Sequence, residues 1–471
     1  MLLMLSREEF DRIYQLGPDA CFELLSSLAA RISALEEKLA PKPHAPSASQ
    51  PFLKPMSQRP KTDRKSGGQK GHKGHTLQKT DTPDQVQQHR PDQCPRCGLS
   101  LADAPTTLVE SRQVVDLPSV MRYLTVEHQV LEACCPGCQC QVKADFPEGV
   151  QAPVQYGPNL MATCVLLRLD QSIALNRIVS FLTDWFGHSP SEGTIDNWQA
   201  LAYRRLAPLE EQIAAGIAAS QCAGFDETMV RTAGKNHWIH VARTDTLTHL
   251  SAPGGRGKEA MKAAGILPAF RGVAVHDAWS GYFSFPECAH SLCGAHLLRE
   301  GDALRERFDP EGRWSEPILG WLRSTKKRAE SGCAGTAEEL IEQVRSLVGR
   351  AYRTLGLSPP DSDKKSACSM ELTRRVRWLD RLWFYAAEVS RFGWDLRVPF
   401  DNNGSERDIR PVKRFSKVFG CWRSKEGLAR FCRIRGYLST MHKQGISVRA
   451  AMISVFRGNP VQPIIPAPLP A

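Results

Sequence analysis

Apolar residues change their spacing several times along this 471-residue chain, and each change predicts a different kind of element. Over residues 6–40, Leu25, Leu28, Ile32, Leu35 and Leu39 recur at steps of three and four, the period of a helix with one apolar seam. The seam is about two heptads long, so it reads as a short coiled coil or as an amphipathic helix packed on its own domain. From Pro41 the composition shifts to Pro, Ser, Lys, Gln and Gly, which cannot build a core, and residues 41–89 read as a linker arm. β-rich segments follow at Ser111 to Val115 and Tyr123 to Leu131, inside a small module over 90–150. Helical periodicity returns over 151–221, with apolar stretches at Leu160 to Leu169 and Ile173 to Phe186. A turn at Ser189-Pro190-Ser191-Glu192 leads into a helix through Trp198, which is either a helix-turn-helix DNA reader or ordinary helix packing.

From Ala223 the period drops to two. Short strands are predicted at 223–231, 236–243 and 246–251, with turns at Gly234-Lys235-Asn236 and Thr244-Asp245. A helix over 256–264, a strand over 272–276 and a fifth strand from Cys288 to Cys293 come next. Helices then run to about Trp394, broken by loops around Asp309 and Ser358, before a helix through Glu406 and a final basic helical stretch. This order predicts an α+β or α/β unit over 222–445, with a helical insertion at about 300–395. Residues 446–471 read as a C-terminal tail, Pro-rich after Asn459.

Composition narrows the class. A hydrophobic share of 42% supports packed cores, and a formal charge of +11 with pI near 9.0 favours polyanionic partners. The charge is clustered: seven Lys or Arg against one acid from Lys54 to His75, and ten against three from Ser405 to Arg435. No apolar run approaches the ~18 residues of a membrane helix. The start turns acidic at Glu8-Glu9 without a small-residue cleavage site, so no signal peptide is expected. Fifteen scattered Cys fit a reducing cytoplasm, where paired Cys motifs take metal rather than form disulfides.

Three sets of residues carry chemistry. Cys94-Pro95-Arg96-Cys97 and Cys135-Pro136-Gly137-Cys138 form two knuckles whose four thiolates would close a tetrahedral Zn²⁺ site, with Cys134 and Cys140 as substitutes in the second pair. A redox or unused thiol cluster is the competing reading. In the arm, Lys65, Lys70 and Lys73 alternate with Gly and His, a pattern suited to phosphate contact or to a plain solvated linker. The third set is acidic. Asp226 sits mid-strand among apolar residues, where an acid is costly unless paired or metal-bound. Alternation turns Glu227 to the opposite face and predicts a solvent-facing or backup acid there. Asp277 ends the run Val273-Ala274-Val275-His276, as a site residue at a strand's carboxyl end or as a turn Asp. On the helix that begins near Asp401, Asn403, Glu406, Arg407 and Arg410 share one face. The carboxylates of Asp226, Asp277 and Glu406 could hold two Mg²⁺ or Mn²⁺ ions about 4 Å apart for phosphodiester chemistry, with no covalent intermediate.

Over nearly its full length the chain resembles the IS66-family transposases. The resemblance rests on Gly68-Gln69-x-Gly71-His72-x-Gly74, the paired Cys-x-x-Cys module, Tyr156-Gly157-Pro158 and Phe225-Asp226-Glu227-Thr228. It also rests on Cys293-Gly294-Ala295-His296-Leu297-Leu298-Arg299 and on Asn402-Asn403-Gly404-Ser405-Glu406-Arg407-Asp408-Ile409-Arg410-Pro411, the most specific block. It implies a DDE triad at Asp226, Asp277 and Glu406 in an RNase H-like α/β core with an all-helical insertion. It also implies contact of His296 and Arg299 with the scissile phosphate, against which stands a packed His beside a surface Arg. Asn403, Arg407, Arg410 and Lys413 are the further DNA-binding candidates. The chain departs from the family at Lys413-Arg414-Phe415-Ser416-Lys417-Val418-Phe419 and at Ala278-Trp279-Ser280-Gly281-Tyr282, which touch no triad carboxylate. The expected function is cleavage of an insertion sequence at its terminal inverted repeats, followed by strand transfer to target DNA. The rival is a catalytically idle, domesticated DNA-binding regulator. Expected partners are double-stranded DNA, further copies of the chain and accessory proteins of the same element.

Overall fold

The computed structural model describes residues 78–466, apart from 119, 333 and 361–372, together with residues 15 and 17. The helix predicted over 6–40, but for those two positions, and Lys65, Lys70 and Lys73 lie outside the described residues. The chain divides into two compact units, one ending at Asp116 and one beginning at Leu117. No described helix is long and apolar enough to cross a membrane.

Over 78–116 of the first unit the chain is irregular apart from turns and a bridge between Gln93 and Ser100. The second unit begins with an antiparallel hairpin of β1 (Glu132–Cys134) and β2 (Gln141–Lys143). The strands predicted at Ser111 to Val115 and Tyr123 to Leu131 do not form. Alternation there supplies apolar side chains but no ladder partner, and Val114 and Leu124 are each 90% exposed.

Four helices follow: α1 (Pro158–Leu169), α2 (Leu175–Phe186), α3 (Glu192–Arg205) and α4 (Ala207–Ala218). Their ends obey local chemistry. Pro158 opens α1, Gly187 at φ 83° stops α2, and the Ser191 hydroxyl accepts the Thr194 N–H at 3.1 Å to cap α3. These helices do not form a domain of their own. Ala162, Val165, Ile195 and Trp198 belong to the same core cluster as Val230, Ile239 and Val241 of the sheet. The exposed start of α3 carries Glu192 and Asp196, and Asp196 pairs with Arg430 at 2.9 Å.

The sheet contains β3 (Cys222–Thr232), β4 (Lys235–Arg243), β5 (Thr248–Ser251), β6 (Val273–His276) and β7 (Ala289–Leu292), in the order β5-β4-β3-β6-β7. The first three strands are antiparallel, while β6 and β7 join in parallel. The β3–β4 turn is Ala233-Gly234, one residue earlier than predicted, with both residues at positive φ (48° and 77°). This is the twist a two-residue hairpin needs. A short helix, α5 (Lys258–Ala263), precedes β6.

The helical insertion comprises α6 (Gly294–Phe308), α7 (Glu316–Glu330), α8 (Ala337–Thr354), α9 (Thr373–Phe384) and α10 (Ala386–Ser390). It has its own core around Leu304, Leu319, Tyr352 and Trp378. Buried Asp309 ties α6 to α7 by accepting the N–H groups of Arg313, Trp314 and Ser315. Three helices close the chain: α11 (Asn403–Phe419), α12 (Lys425–Lys443) and α13 (Val448–Phe456). The tail predicted over 446–471 is therefore corrected. Ala451, Met452 and Val455 of α13 are fully buried in the core shared with α1, and Tyr437 donates to the Val461 carbonyl at 3.0 Å.

Candidate active site

The register of the sheet decides which carboxylates meet. β3 and β6 pair in parallel, with Gly224 opposite Val275. Asp226 and Asp277 stand two residues further along their strands, so they leave the sheet at the same level and from the Gly224 face. That face is covered by the start of α11. A methyl group on Gly224 would lie 2.3 Å from Asn402 Oδ1 and 2.7 Å from Ser405 Oγ, so only glycine permits this approach. Asn402 is 5% exposed and donates from Nδ2 to the Phe225 carbonyl at 2.6 Å, while its Oδ1 accepts the Ser405 hydroxyl at 2.6 Å. Its own N–H meets Cys293 Sγ at 3.1 Å. One asparagine thus ties β3, the start of α6 and the first turn of α11, where Glu406 sits.

Each carboxylate has a distinct setting. Asp226 Oδ1 accepts the Glu227 N–H at 2.8 Å. Burial, followed by repulsion from Glu227 and Asp277, pushes its pKa up to about 7, despite that hydrogen bond and the charge of Lys413. Asp277 Oδ1 accepts the Trp279 N–H at 2.9 Å, so the turn-Asp reading describes part of its bonding, and the expectation that the segment Ala278 to Tyr282 touches none of the three carboxylates is corrected. Glu406 pairs with Arg299 and lies 3.6 Å from His296 Nε2. Burial raises the Glu406 pKa, but the Arg299 bond and the charges of Arg299, His296 and Lys413 leave it below the usual carboxylate range. Burial, with the nearby Arg299 charge, lowers the His296 pKa and favours its neutral form. Both α6 residues therefore face Glu406.

Arg407, Arg410 and Lys413 are exposed along α11, and none makes an ion pair among the described residues. Arg414, by contrast, is taken up by the Asp170 carbonyl and Ser172. Asn403 is half-buried, with its N–H on Asp401 Oδ1 at 3.0 Å. Pro411 removes one N–H from the helix interior, yet α11 continues because Ile409, Val412 and Phe415 are buried on its inner side.

The expectation for Glu227 is corrected. Alternation does turn it from Asp226, but the face it reaches is covered. Its side chain is 1% exposed, both Arg256 Nε and Nη2 stand 2.7 Å from its Oε1, and Tyr282 donates to its Oε2. Sequence reasoning passed over Asn402, Arg256 and Tyr282. Asn402 opens the most specific block of the family resemblance and Tyr282 ends a segment that departs from it, but neither carried a role of its own, and Arg256 shows only as a lone cation in Gly254-Gly255-Arg256-Gly257.

The cysteine knuckles match one another. In the first, the Gly98 N–H donates to the Cys94 carbonyl at 2.8 Å and the Cys94 N–H to the Leu99 carbonyl at 2.9 Å. In the second, the Gln139 N–H meets the Cys135 carbonyl at 2.8 Å and the Cys135 N–H the Cys140 carbonyl at 2.8 Å. Gly98 and Gln139 both take positive φ, 73° and 59°. Backbone N–H groups, from Arg96 first and from Cys138 first respectively, lower the Cys94 and Cys135 pKa values, helped by the side chains of Cys97 and Cys138. Among the described residues, no three His, Cys, Asp or Glu side chains converge as a ready metal cage.

A search among curated proteins returns no match. The family model of the IS66 transposases matches residues 153–430, more than half of the chain and all three acidic positions. The chain belongs to the IS66 transposase family.

Proposed function

We propose that this protein cleaves DNA at the ends of an insertion sequence and joins the freed 3′-hydroxyls to target DNA, using Asp226, Asp277 and Glu406. One observation carries the reading: Asp226 and Asp277 leave adjacent parallel strands at one level and on one face, and the first turn of α11, which carries Glu406, packs through Asn402 and Ser405 against Gly224 on that face. The five-strand order, three antiparallel strands followed by two parallel ones, supports an RNase H-like core.

The donor set suits a hard divalent cation. All three groups are carboxylates, and burial first, then repulsion from Glu227 and Asp277, raises the Asp226 pKa, as expected of an acid that lacks a neighbouring cation. Bound there, Mg²⁺ or Mn²⁺ would supply Lewis acidity for attack by water or a 3′-hydroxyl and for departure of the leaving oxygen. The protein's own residues do the rest. Exposed Arg407, Arg410 and Lys413 continue the Glu406 face along α11 and can hold the DNA backbone beside the carboxylates. Arg299, one third exposed and paired with Glu406, is suited to a charge-assisted bond with a scissile phosphate. His296 is suited to donate a neutral hydrogen bond there. Asn402 fixes the distance between β3 and α11 on which the site depends.

Zinc is the second part of the proposal. Two matching knuckles present Cys94 with Cys97 and Cys135 with Cys138, and backbone N–H groups favour the thiolates that Zn²⁺ takes up. Purified protein is expected to carry about one Zn²⁺ per chain. Full zinc retained by the double variant Cys97→Ser, Cys138→Ser would overturn the assignment.

Strand cleavage and joining with the element's own terminal repeats test the main claim. Asp226→Ala, Asp277→Ala and Glu406→Ala should each abolish both steps while end binding survives. Tight end binding by the wild type without nicking in Mg²⁺ or Mn²⁺, every partner supplied, would establish the idle regulator instead.

A further inference from the structure

The two catalytic strands are also joined on the far side of the sheet. Glu227 follows Asp226 and His276 precedes Asp277, so alternation sends both to the face opposite the triad. There they meet the same residue. Tyr282, 2% exposed, donates its hydroxyl to Glu227 Oε2 and stacks its ring on His276 at 4.4 Å between centroids. His276 is itself held between the Asp277 carbonyl and His290, whose Nδ1 lies 3.0 Å from His276 Nε2.

A second route joins the same groups. The Arg256 guanidinium pairs with Glu227 and lies over the Trp279 ring at 3.8 Å, with the Trp238 ring at 4.9 Å. The Trp279 N–H is the group that orients Asp277 Oδ1. Gly281 lets the indole lie flat, since a methyl there would stand 2.5 Å from Trp279 Nε1. The chain from Asp226 through Glu227, Arg256 and Trp279 to Asp277 is therefore continuous.

We propose that Glu227, Tyr282 and Arg256 form a bracket on the back of the sheet that sets the spacing and orientation of Asp226 and Asp277 on the front, so that Tyr282 and Glu227 are positioning residues for the metal-binding carboxylates. The inference rests on the three-carboxylate reading of the site. The bracket lies on the face of the sheet opposite Asp226. Two carboxylates that would hold a cation together must keep their separation, whereas DNA contact along α11 would not depend on it. Loss of the bracket should thus act on metal affinity and spare end binding. Removing an outer partner of a metal ligand weakens metal binding by roughly 10–100-fold.

Tyr282→Phe deletes one oxygen and keeps the stacked ring. Mn²⁺ binding to the full chain can be followed by the electron paramagnetic resonance signal of free Mn²⁺, with Asp226→Asn identifying the binding that belongs to the triad. Tyr282→Phe should weaken that binding about tenfold and raise the Mg²⁺ needed for half-maximal nicking in proportion. Saturating metal should restore its rate, and end binding should match wild type. Glu227→Gln, which keeps an acceptor for Tyr282 but loses the charge facing Arg256, should move metal affinity the same way. Unchanged Mn²⁺ affinity in Tyr282→Phe would overturn the bracket, as would parallel losses of metal affinity, end binding and melting temperature, which mark a merely structural role. Wild type without Mn²⁺ binding that Asp226→Asn removes would instead overturn the three-carboxylate reading itself.

Discussion

Asp226 and Glu227 are neighbours in β3, yet the two faces of the strand treat them in opposite ways. Glu227 is almost fully buried and completely partnered, with Arg256 on one oxygen and Tyr282 on the other. Asp226 has one backbone N–H, Asp277 at the same level beyond the neighbouring parallel strand, and, among the described residues, the charge of Lys413 to offset its own. A charge that the fold has neutralised is structural. One that the fold has gathered with others and left short of cations is available to a ligand. The difference cannot be read from the residue types, since the chain offers two consecutive carboxylates in the same strand.

Alternation did identify which acid faces which way, and much of the sheet was equally legible. The strands predicted at 223–231, 236–243 and 272–276 differ from β3, β4 and β6 by a residue at most. What alternation cannot supply is the identity of the covering layer. Arg256 and Tyr282 lie 29 and 55 positions beyond Glu227, so its burial depends on contacts with no local signature. The unpaired segments at 111–115 and 123–131 fail for the complementary reason, having the pattern without a partner strand. α13 was missed because nine residues between Gly445 and Pro460 look like a tail until α1 is packed against them. Lys65, Lys70 and Lys73 lie outside the described residues and stand as sequence-based expectations.

The contrast between the faces can be broken most severely from the back. Glu227→Ala leaves the Arg256 guanidinium and the Tyr282 hydroxyl without their acceptor, and should lower unfolding free energy by about 3 kcal/mol in urea titration. A loss below about 0.5 kcal/mol, the range of ordinary surface substitutions, would mean that the back face is not the anchored one.

The front face should respond next. Gly224→Ala places a methyl against Asn402 Oδ1 and Ser405 Oγ, which must move with the first turn of α11. The cost should be about 1–3 kcal/mol of stability, with nicking reduced more than end binding because Glu406 is displaced. Equal losses of the two activities would show that Asn402 does not set the position of Glu406.

The smallest effect sharpens the comparison through pH. In protein freed of divalent metal, the folded-state pKa of Asp226 is raised from 3.8 to about 7, so between these values the folded protein holds a proton that the unfolded chain has released. The stability contributed by this group is full below about pH 4 and falls as pH rises through about 7. The difference in melting temperature between wild type and Asp226→Asn should move against wild type over that window. A difference independent of pH would show that Asp226 is compensated as fully as Glu227.

The most direct measurement is Mg²⁺-dependent nicking of terminal-repeat DNA by Asp226→Asn and Glu227→Gln at saturating metal, with end binding recorded for each. Asp226→Asn keeps the shape and loses the charge that holds the cation, so it should bind ends like wild type and cut none. Glu227→Gln should cut at saturating metal. An active Asp226→Asn beside an inactive Glu227→Gln would contradict the assignment of catalysis to the Gly224 face.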